Sequence, residues 1–173
     1  MNLKVPYGES NFQKVITGGF VYIDKTHYIP QLEATGSHLF LLRPRRFGKS
    51  LFLSMLEYYY DIAYKNEFST LFGQLAIGQS PTPACNSYQV LFMDFSGIDT
   101  DGGHEAIFQR FSSKLEMHLQ TFLRRYAYPD SYQIALKDKG SPADKMQQFV
   151  ELLGEQKFLL LRNDASLTIT LQP

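Results

Sequence analysis

A short basic loop between an apolar run and an amphipathic pattern constrains this chain more than any other feature. Residues 38–42 predict a strand, and residues 43–49 form a loop before a helix predicted to begin at Ser50. Gly48, Lys49 and Ser50 therefore stand between a strand and a helix, which is the context of a phosphate-binding loop. Backbone N–H groups and the helix dipole favour an anion at such a helix start.

The residue types at this loop predict separate roles in a nucleotide site. Lys49 is expected to reach the outer phosphates, and the Ser50 hydroxyl is placed to ligate Mg²⁺. The usual pattern, G-x-x-x-x-G-K-[ST], begins with glycine, whereas this chain has Arg43 there. The alternative is a basic strand-to-helix turn that contains Gly-Lys-Ser by chance.

Length and composition fit one globular domain. The chain has 173 residues, of which 44% are hydrophobic and 20% charged, and its net charge is zero. No overall field therefore attracts it to nucleic acid or to a membrane. Cys85 is the single cysteine, which excludes an internal disulfide. The chain shows neither a signal peptide nor an apolar run of the ~18 residues that a membrane span needs, and we expect a cytoplasmic protein.

Strand and helix patterns alternate along the chain. Further strands are predicted at 20–23, 88–94, 157–161 and 167–171, and further helices at 26–35, 50–64, 104–126, 132–137 and 141–153. This alternation favours a three-layer α/β domain with a mostly parallel sheet, whose ligands bind at the carboxyl ends of the strands. Asp94 ends the strand at 88–94 and is a candidate secondary ligand for the metal.

Several segments occur in an order that resembles a known family. They are Pro6-Tyr7-Gly8, Phe12, and residues 22–26, 40–50 and 93–96. The chain resembles the bacterial predicted AAA-ATPase-like family, whose members often carry a PD-(D/E)XK nuclease-like domain after the ATPase. The resemblance covers most of residues 3–100. Arginine at the first loop position is typical of that family, so the resemblance implies nucleotide binding despite the missing glycine.

The resemblance also exposes a departure near the end of the chain. The family carries a Walker B sequence like Leu-Ile-Asp-Glu-Tyr-Asp, where this chain has residues 159–164. In that alignment Leu161 replaces the metal-side Asp, Arg162 replaces the catalytic Glu, and Asp164 matches the last acid. ATP hydrolysis needs such carboxylates to hold Mg²⁺ and orient water. We therefore expect weak hydrolysis or none, and assign no catalytic residue.

The family resemblance further implies that later strands are missing. We expect residues 1–173 to form one P-loop domain that is incomplete at its C-terminus, with an N-terminal family segment at 1–37 and a truncated core at 38–173. A frameshifted or truncated gene is the favoured explanation. A shortened sheet would leave a bare strand edge, which invites self-association.

Two alternatives to an ATP-binding domain remain open. The chain could be a non-catalytic interaction remnant. It could also be a metal-dependent nuclease, since Asp130, Glu155 and Lys157 imitate the nuclease pattern. Asp99, Asp101, His104 and Glu105 could likewise suggest a metal site, although acids before a helix more often serve the helix start.

The favoured interpretation is an ATP-binding, AAA-ATPase-like domain that uses ATP and Mg²⁺. Arg45 and Arg46 are expected to add phosphate contacts, and Ser50 and Asp94 are the candidate metal ligands. The expected partner is a nucleotide, with no membrane and no sign of nucleic acid. The predicted nucleotide-binding residues are Pro44, Arg45, Arg46, Phe47, Gly48, Lys49, Ser50 and Leu51.

Overall fold

The structure is a computed structural model that describes residues 4–36, 38–41, 47–99, 101–137, 140–163 and 167–171. The α-helices are α1 Phe12–Thr17, α2 Ile29–Thr35, α3 Lys49–Tyr60, α4 Phe68–Phe72, α5 Ala76–Gln79, α6 Gly103–Arg125, α7 Asp130–Lys137 and α8 Pro142–Leu153. Short 3₁₀ helices span Thr26–Tyr28 and Ile62–Glu67. The strands are β1 His38–Leu41, β2 Gln89–Asp94, β3 Phe158–Asn163 and β4 Leu167–Leu171.

The four strands form one sheet in the order β1-β4-β3-β2. β2 and β3 are parallel, with Val90 beside Leu159, whereas β4 runs antiparallel to both of its neighbours. The α/β class is thereby confirmed. The sheet was expected to be mostly parallel, but two of its three strand pairings are antiparallel. Only residues 164–166 connect β3 to β4. A parallel pairing requires a crossover of about a dozen residues or more.

Helices pack against both faces of β2 and β3, because successive side chains of a strand point to opposite sides. Val90 of β2 belongs to a buried cluster with α1, α3 and α4. The next residue, Leu91, belongs to a second cluster with α6, α7 and α8. In β3, Leu159 joins the first cluster and Phe158 the second. β2 and β3 thus carry apolar residues on both faces.

Local signals predicted several elements well. Ser141 caps α8 by accepting a hydrogen bond from the N–H of Asp144 at 3.1 Å, and Pro142 opens the helix. The aromatic run at residues 58–60 packs in the core: Tyr59 is fully buried, and its two neighbours are at most 6% exposed. Helix α3 begins at Lys49, one residue before the expected start.

Other local expectations were wrong. Residues 20–23 form no strand, and the N–H of Val21 donates instead to the carbonyl of Lys4 at 2.9 Å. The helix predicted at 26–35 is divided into a 3₁₀ helix at Thr26–Tyr28 and α2, and the Thr26 hydroxyl bonds Asp24 and the N–H of Ile77. Helix α3 stops at Tyr60, where Asp61 starts a 3₁₀ helix by accepting from the N–H of Ala63.

Candidate functional site

The first turn of α3 begins at a glycine in the left-handed conformation. Gly48 is its N-cap, with φ +75° and ψ 21°, and Lys49 is its first residue. The Gly48 carbonyl accepts the N–H of Phe52 at 2.9 Å, so the glycine is fixed to the helix. The first turn carries no acidic residue, so no side-chain carboxylate there competes with a bound anion. Phe47 and Gly48 are exposed to solvent.

Part of the predicted loop lies outside the described residues. This applies to Pro44, Arg45 and Arg46, whose predicted phosphate contacts stay predictions. Phe47, Gly48, Lys49, Ser50 and Leu51 are described, and they run continuously from the loop into α3.

The hydroxyl of Ser50 faces a polar side chain at the end of β3. The amide Nδ2 of Asn163 lies 3.3 Å from Ser50 Oγ, and the same nitrogen lies 3.4 Å from Asp94 Oδ1. Ser50 follows β1 along the chain, while Asp94 and Asn163 are paired residues at the ends of the parallel strands β2 and β3. The structure therefore brings two predicted site residues, Ser50 and Asp94, to a shared neighbour.

Asn163 was absent from the predicted site. Alignment with the family motif predicted the site acids at the positions of Leu161 and Arg162. Leu161 is fully buried and belongs to the cluster that includes α3. Asn163, two residues later, lies on the same face of the strand and reaches Ser50. The sequence signal that could have indicated Asn163 is its position as a polar residue at the carboxyl end of an apolar strand.

Asp94 is held in place by its surroundings. Its Oδ1 accepts the N–H of Ser96 at 2.8 Å, and the N–H of Phe95 donates to the Asn163 carbonyl at 3.0 Å. Its backbone also contacts Nε2 of His118 on α6. The position of this carboxylate therefore follows from the sheet and from α6 together.

The donor set at this point fits Mg²⁺. Ser50 supplies a hydroxyl and Asp94 a carboxylate, and Mg²⁺ prefers oxygen ligands, keeping several waters and phosphate oxygens beside one or two carboxylates. One carboxylate and one hydroxyl are sufficient for a metal that is held mainly by a bound nucleotide. A cage built by the protein alone is not supported, because the described residues contain no group of three or more His, Cys, Asp or Glu side chains suited to a metal.

Two clefts of about 300 Å³ flank the Gly48 turn. One lies against α2 and is lined by Tyr28, Gln31 and Phe47 among others. The other lies against the N-terminal segment, where apolar residues such as Val5 and Ile23 dominate. Both clefts are also lined by Lys25, Gly48 and Phe52.

Lys25 and its neighbour Asp24 have different surroundings. Asp24 is structural, since its carboxylate accepts the N–H of Thr26 at 2.8 Å and the N–H of Ala76 at 2.7 Å. Lys25 instead lines both clefts, and it shares the α2 cleft with Lys49. A second ammonium group near the loop adds positive potential where phosphates would lie.

Asp99 and Asp130, two of the other candidate metal and nuclease residues, have structural partners. Asp99 accepts the N–H of Asp101 at 3.0 Å and forms an ion pair with Arg110 at 3.4 Å. Asp130 lies in the first turn of α7 and accepts a hydrogen bond from Gln133.

None of the helices in the described ranges is long and apolar enough to cross a membrane.

Comparison with known proteins assigns the chain to a family but gives no solved structure. One relative is an uncharacterised protein from the region 5′ of vnfD in Azotobacter chroococcum mcd 1, which is 52% identical over 54 residues. That match covers 31% of this chain and 10% of the relative. No solved structure matches. The family model described as predicted AAA-ATPase matches residues 6–159, and the chain therefore belongs to this predicted AAA-ATPase family.

Proposed function

We propose that this chain binds a nucleoside triphosphate, ATP, with Mg²⁺ at the first turn of α3. The observation that carries the proposal is the Ser50–Asn163–Asp94 contact, since it sets the hydroxyl of a Gly-Lys-Ser turn against the carboxyl ends of parallel strands. Open α/β sheets bind their ligands at those ends. The family membership supports the same conclusion.

In this proposal each loop residue has a physical role. The backbone N–H groups that begin α3 face the phosphates, and the ammonium of Lys49 pairs with the outer ones. The hydroxyl of Ser50 and the carboxylate of Asp94 hold Mg²⁺, which neutralises phosphate charge. The wider P-loop architecture is proposed on the same grounds, with helices on both faces of β2 and β3.

Hydrolysis by this site is proposed to be weak or absent. The side chain that reaches Ser50 from β3 is the neutral amide of Asn163, which can neither carry negative charge for the metal nor accept a proton from water. Asp94 is the nearby carboxylate, and in this proposal it holds Mg²⁺, so it does not act as the base for the attacking water. The site is therefore suited to hold a nucleotide rather than to turn it over rapidly.

Calorimetric titration with Mg²⁺–ATP tests the proposal. Wild type is expected to bind saturably, and Lys49→Ala is expected to lose at least tenfold in affinity, because an ion pair with phosphate is removed. Lys137→Ala is the matched control, since Lys137 lies in the last turn of α7 and is exposed. A folded wild type that does not bind ATP, or a Lys49→Ala variant that binds equally well, would contradict the proposed site.

Self-association is a second candidate function, favoured by the position of β1. β1 is an outer strand of the sheet, and outer strands present unpaired backbone groups to other chains. The opposite edge is covered at two points, because Tyr126 accepts the N–H of Val90 at 2.7 Å and His118 contacts the backbone of Asp94. Pairing through β1 would give dimers by size-exclusion chromatography with light scattering; a monomer at high concentration would contradict it.

A further inference from the structure

The cleft against α2 has a size and position suited to part of a nucleotide. Its volume is about 300 Å³, at the lower end of the range for ligand pockets, roughly 300–1,000 Å³. One wall is α2, and the other is the segment from Phe47 to Lys49 that opens α3. A ligand whose phosphates meet Lys49 would extend directly into this space.

Two aromatic side chains at the cleft are unusually exposed. Tyr28 is 43% exposed and Phe47 is 61% exposed, although large apolar rings are normally placed where they lose contact with water. Both residues line the cleft. Aromatic rings that face an open cleft offer stacking surface to a flat, polarisable ligand such as a nucleobase.

The cleft also has polar groups at helical spacing. Gln31 and Thr35 lie one turn apart on α2, and both line it. The Thr35 hydroxyl donates to the Gln31 carbonyl at 2.7 Å, so its oxygen keeps capacity to accept. The Gln31 amide carries both donors and an acceptor, which matches the mixed edge of a base.

The second cleft is less suited to a base. Apart from Lys25 and Tyr22, the side chains that line it are apolar, as in Val5, Val21 and Leu51. The donors and acceptors of a base edge would lose water there without gaining partners, and burying unpaired polar groups is unfavourable.

We propose that the nucleoside part of the nucleotide binds in the α2 cleft. The base packs against Tyr28 and Phe47, Gln31 and Thr35 face its polar edge, and the phosphates continue towards Lys49. This inference rests on the proposed function and extends it, because it assigns to α2 the recognition of the base rather than of the phosphates.

The test compares ATP with inorganic tripolyphosphate, which has the phosphates but no nucleoside. In calorimetric titrations with Mg²⁺, wild type is expected to bind ATP at least tenfold more tightly than tripolyphosphate. Tyr28→Ala and Phe47→Ala are each expected to weaken ATP binding by at least about fivefold, the lower end of the range for loss of one stacking contact. Their tripolyphosphate affinity is expected to match wild type.

Two control variants separate this cleft from other surfaces. Phe108→Ala removes an aromatic ring of similar exposure, 38%, from α6, and is expected to have no effect. Ile23→Ala changes the second cleft at a residue that is 75% exposed, and is also expected to have none. Gln31→Ala is expected to alter the ratio of ATP to GTP affinity more than tripolyphosphate affinity.

The outcomes distinguish this inference from the function on which it rests. Equal affinities for ATP and tripolyphosphate, unaffected by Tyr28→Ala, would overturn the base site while leaving the phosphate site intact. A loss of ATP affinity confined to Ile23→Ala would also overturn it, by assigning the base to the second cleft. Failure of both ligands to bind folded wild type would refute the proposed function and this inference together.

Discussion

The amide nitrogen of Asn163 lies 3.3 Å from the hydroxyl of Ser50, across 113 positions of the chain. It also lies 3.4 Å from the carboxylate of Asp94. One neutral side chain thus connects the first turn of α3 to the ends of β2 and β3. In a nucleotide site, the side chain at the position of Asn163 influences how tightly the metal is held and how the water beside the phosphates is oriented.

Asn163→Asp is expected to make the stability of the protein depend on Mg²⁺. Without the metal, a second carboxylate beside Asp94 repels it and loses the amide's hydrogen bonds, which we expect to cost about 1–2 kcal/mol. With millimolar Mg²⁺ the loss is expected to be recovered, because two carboxylates bind the cation better than one. Urea denaturation with and without Mg²⁺ measures the difference.

Asn163→Ala is the control for that experiment, since it removes the bridge without adding charge. We expect a modest loss of stability, about 1 kcal/mol, that Mg²⁺ does not reverse. If Mg²⁺ stabilises Asn163→Asp no more than wild type, then Asn163 does not lie at a metal position.

Gly48→Ala is expected to lower both stability and ATP affinity through backbone strain alone. Among the described residues, a Cβ at Gly48 would meet no atom within 4 Å, but its φ of +75° is unfavourable for alanine. The cost is about 1–2 kcal/mol. Gly48→Asn is the matched comparison, because asparagine tolerates the left-handed region better. Equal loss in the two variants by urea denaturation would contradict this explanation.

Arg125→Met is expected to destabilise the protein strongly, by about 3–5 kcal/mol. Arg125 on α6 contacts Glu57 of α3 at 3.0 Å and Asp61, whose side chain is fully buried, at 3.1 Å. Burial raises the pKa of Asp61, while the N–H of Ala63 and then the charge of Arg125 oppose that rise. Without the arginine, a buried carboxylate has lost its countercharge.

The loss caused by Arg125→Met is expected to depend on pH. A carboxyl whose pKa is raised on folding binds more protons in the folded state, so its contribution to stability decreases as the pH rises through that raised pKa. The variant should therefore lose less stability near pH 5 than near pH 8. Urea midpoints at the two values measure this, and an Arg124→Met control, at an exposed neighbour on α6, should change little. A pH-independent loss would contradict an uncompensated Asp61.

His118 is expected to make wild type less stable as the pH falls. Burial lowers the pKa of His118 from its ordinary 6.5, and its ring contacts the backbone of Asp94. The unfolded histidine therefore binds a proton in a range where the folded one does not. Stability is present above about pH 6.5 and is lost as the pH falls towards the lowered pKa. His118→Gln, compared with wild type by urea denaturation between about pH 8 and pH 5.5, should show a weaker dependence; an unchanged one would exclude this histidine.

Some features could be read from the sequence because their causes are local. Ser141 and Pro142 start α8 by satisfying the N–H groups of its own first turn, and the apolar run at residues 88–94 predicted β2. The Gly-Lys-Ser turn likewise predicted the start of α3 to within one residue. Each of these signals involves residues that are close together in the chain, so pattern and spacing are sufficient.

The tertiary structure decided what depends on distant residues. Strand order set Asn163, rather than Leu161 or Arg162, beside Ser50. Leu161 is on the same face but lies within the core, and alternation along β3 turns Arg162 to the opposite face. The short β3–β4 connection imposed an antiparallel strand within the sheet. The α2 cleft formed where residues 25–35 meet residues 47–52. Such contacts depend on how the elements pack, and no local pattern in the sequence specifies them.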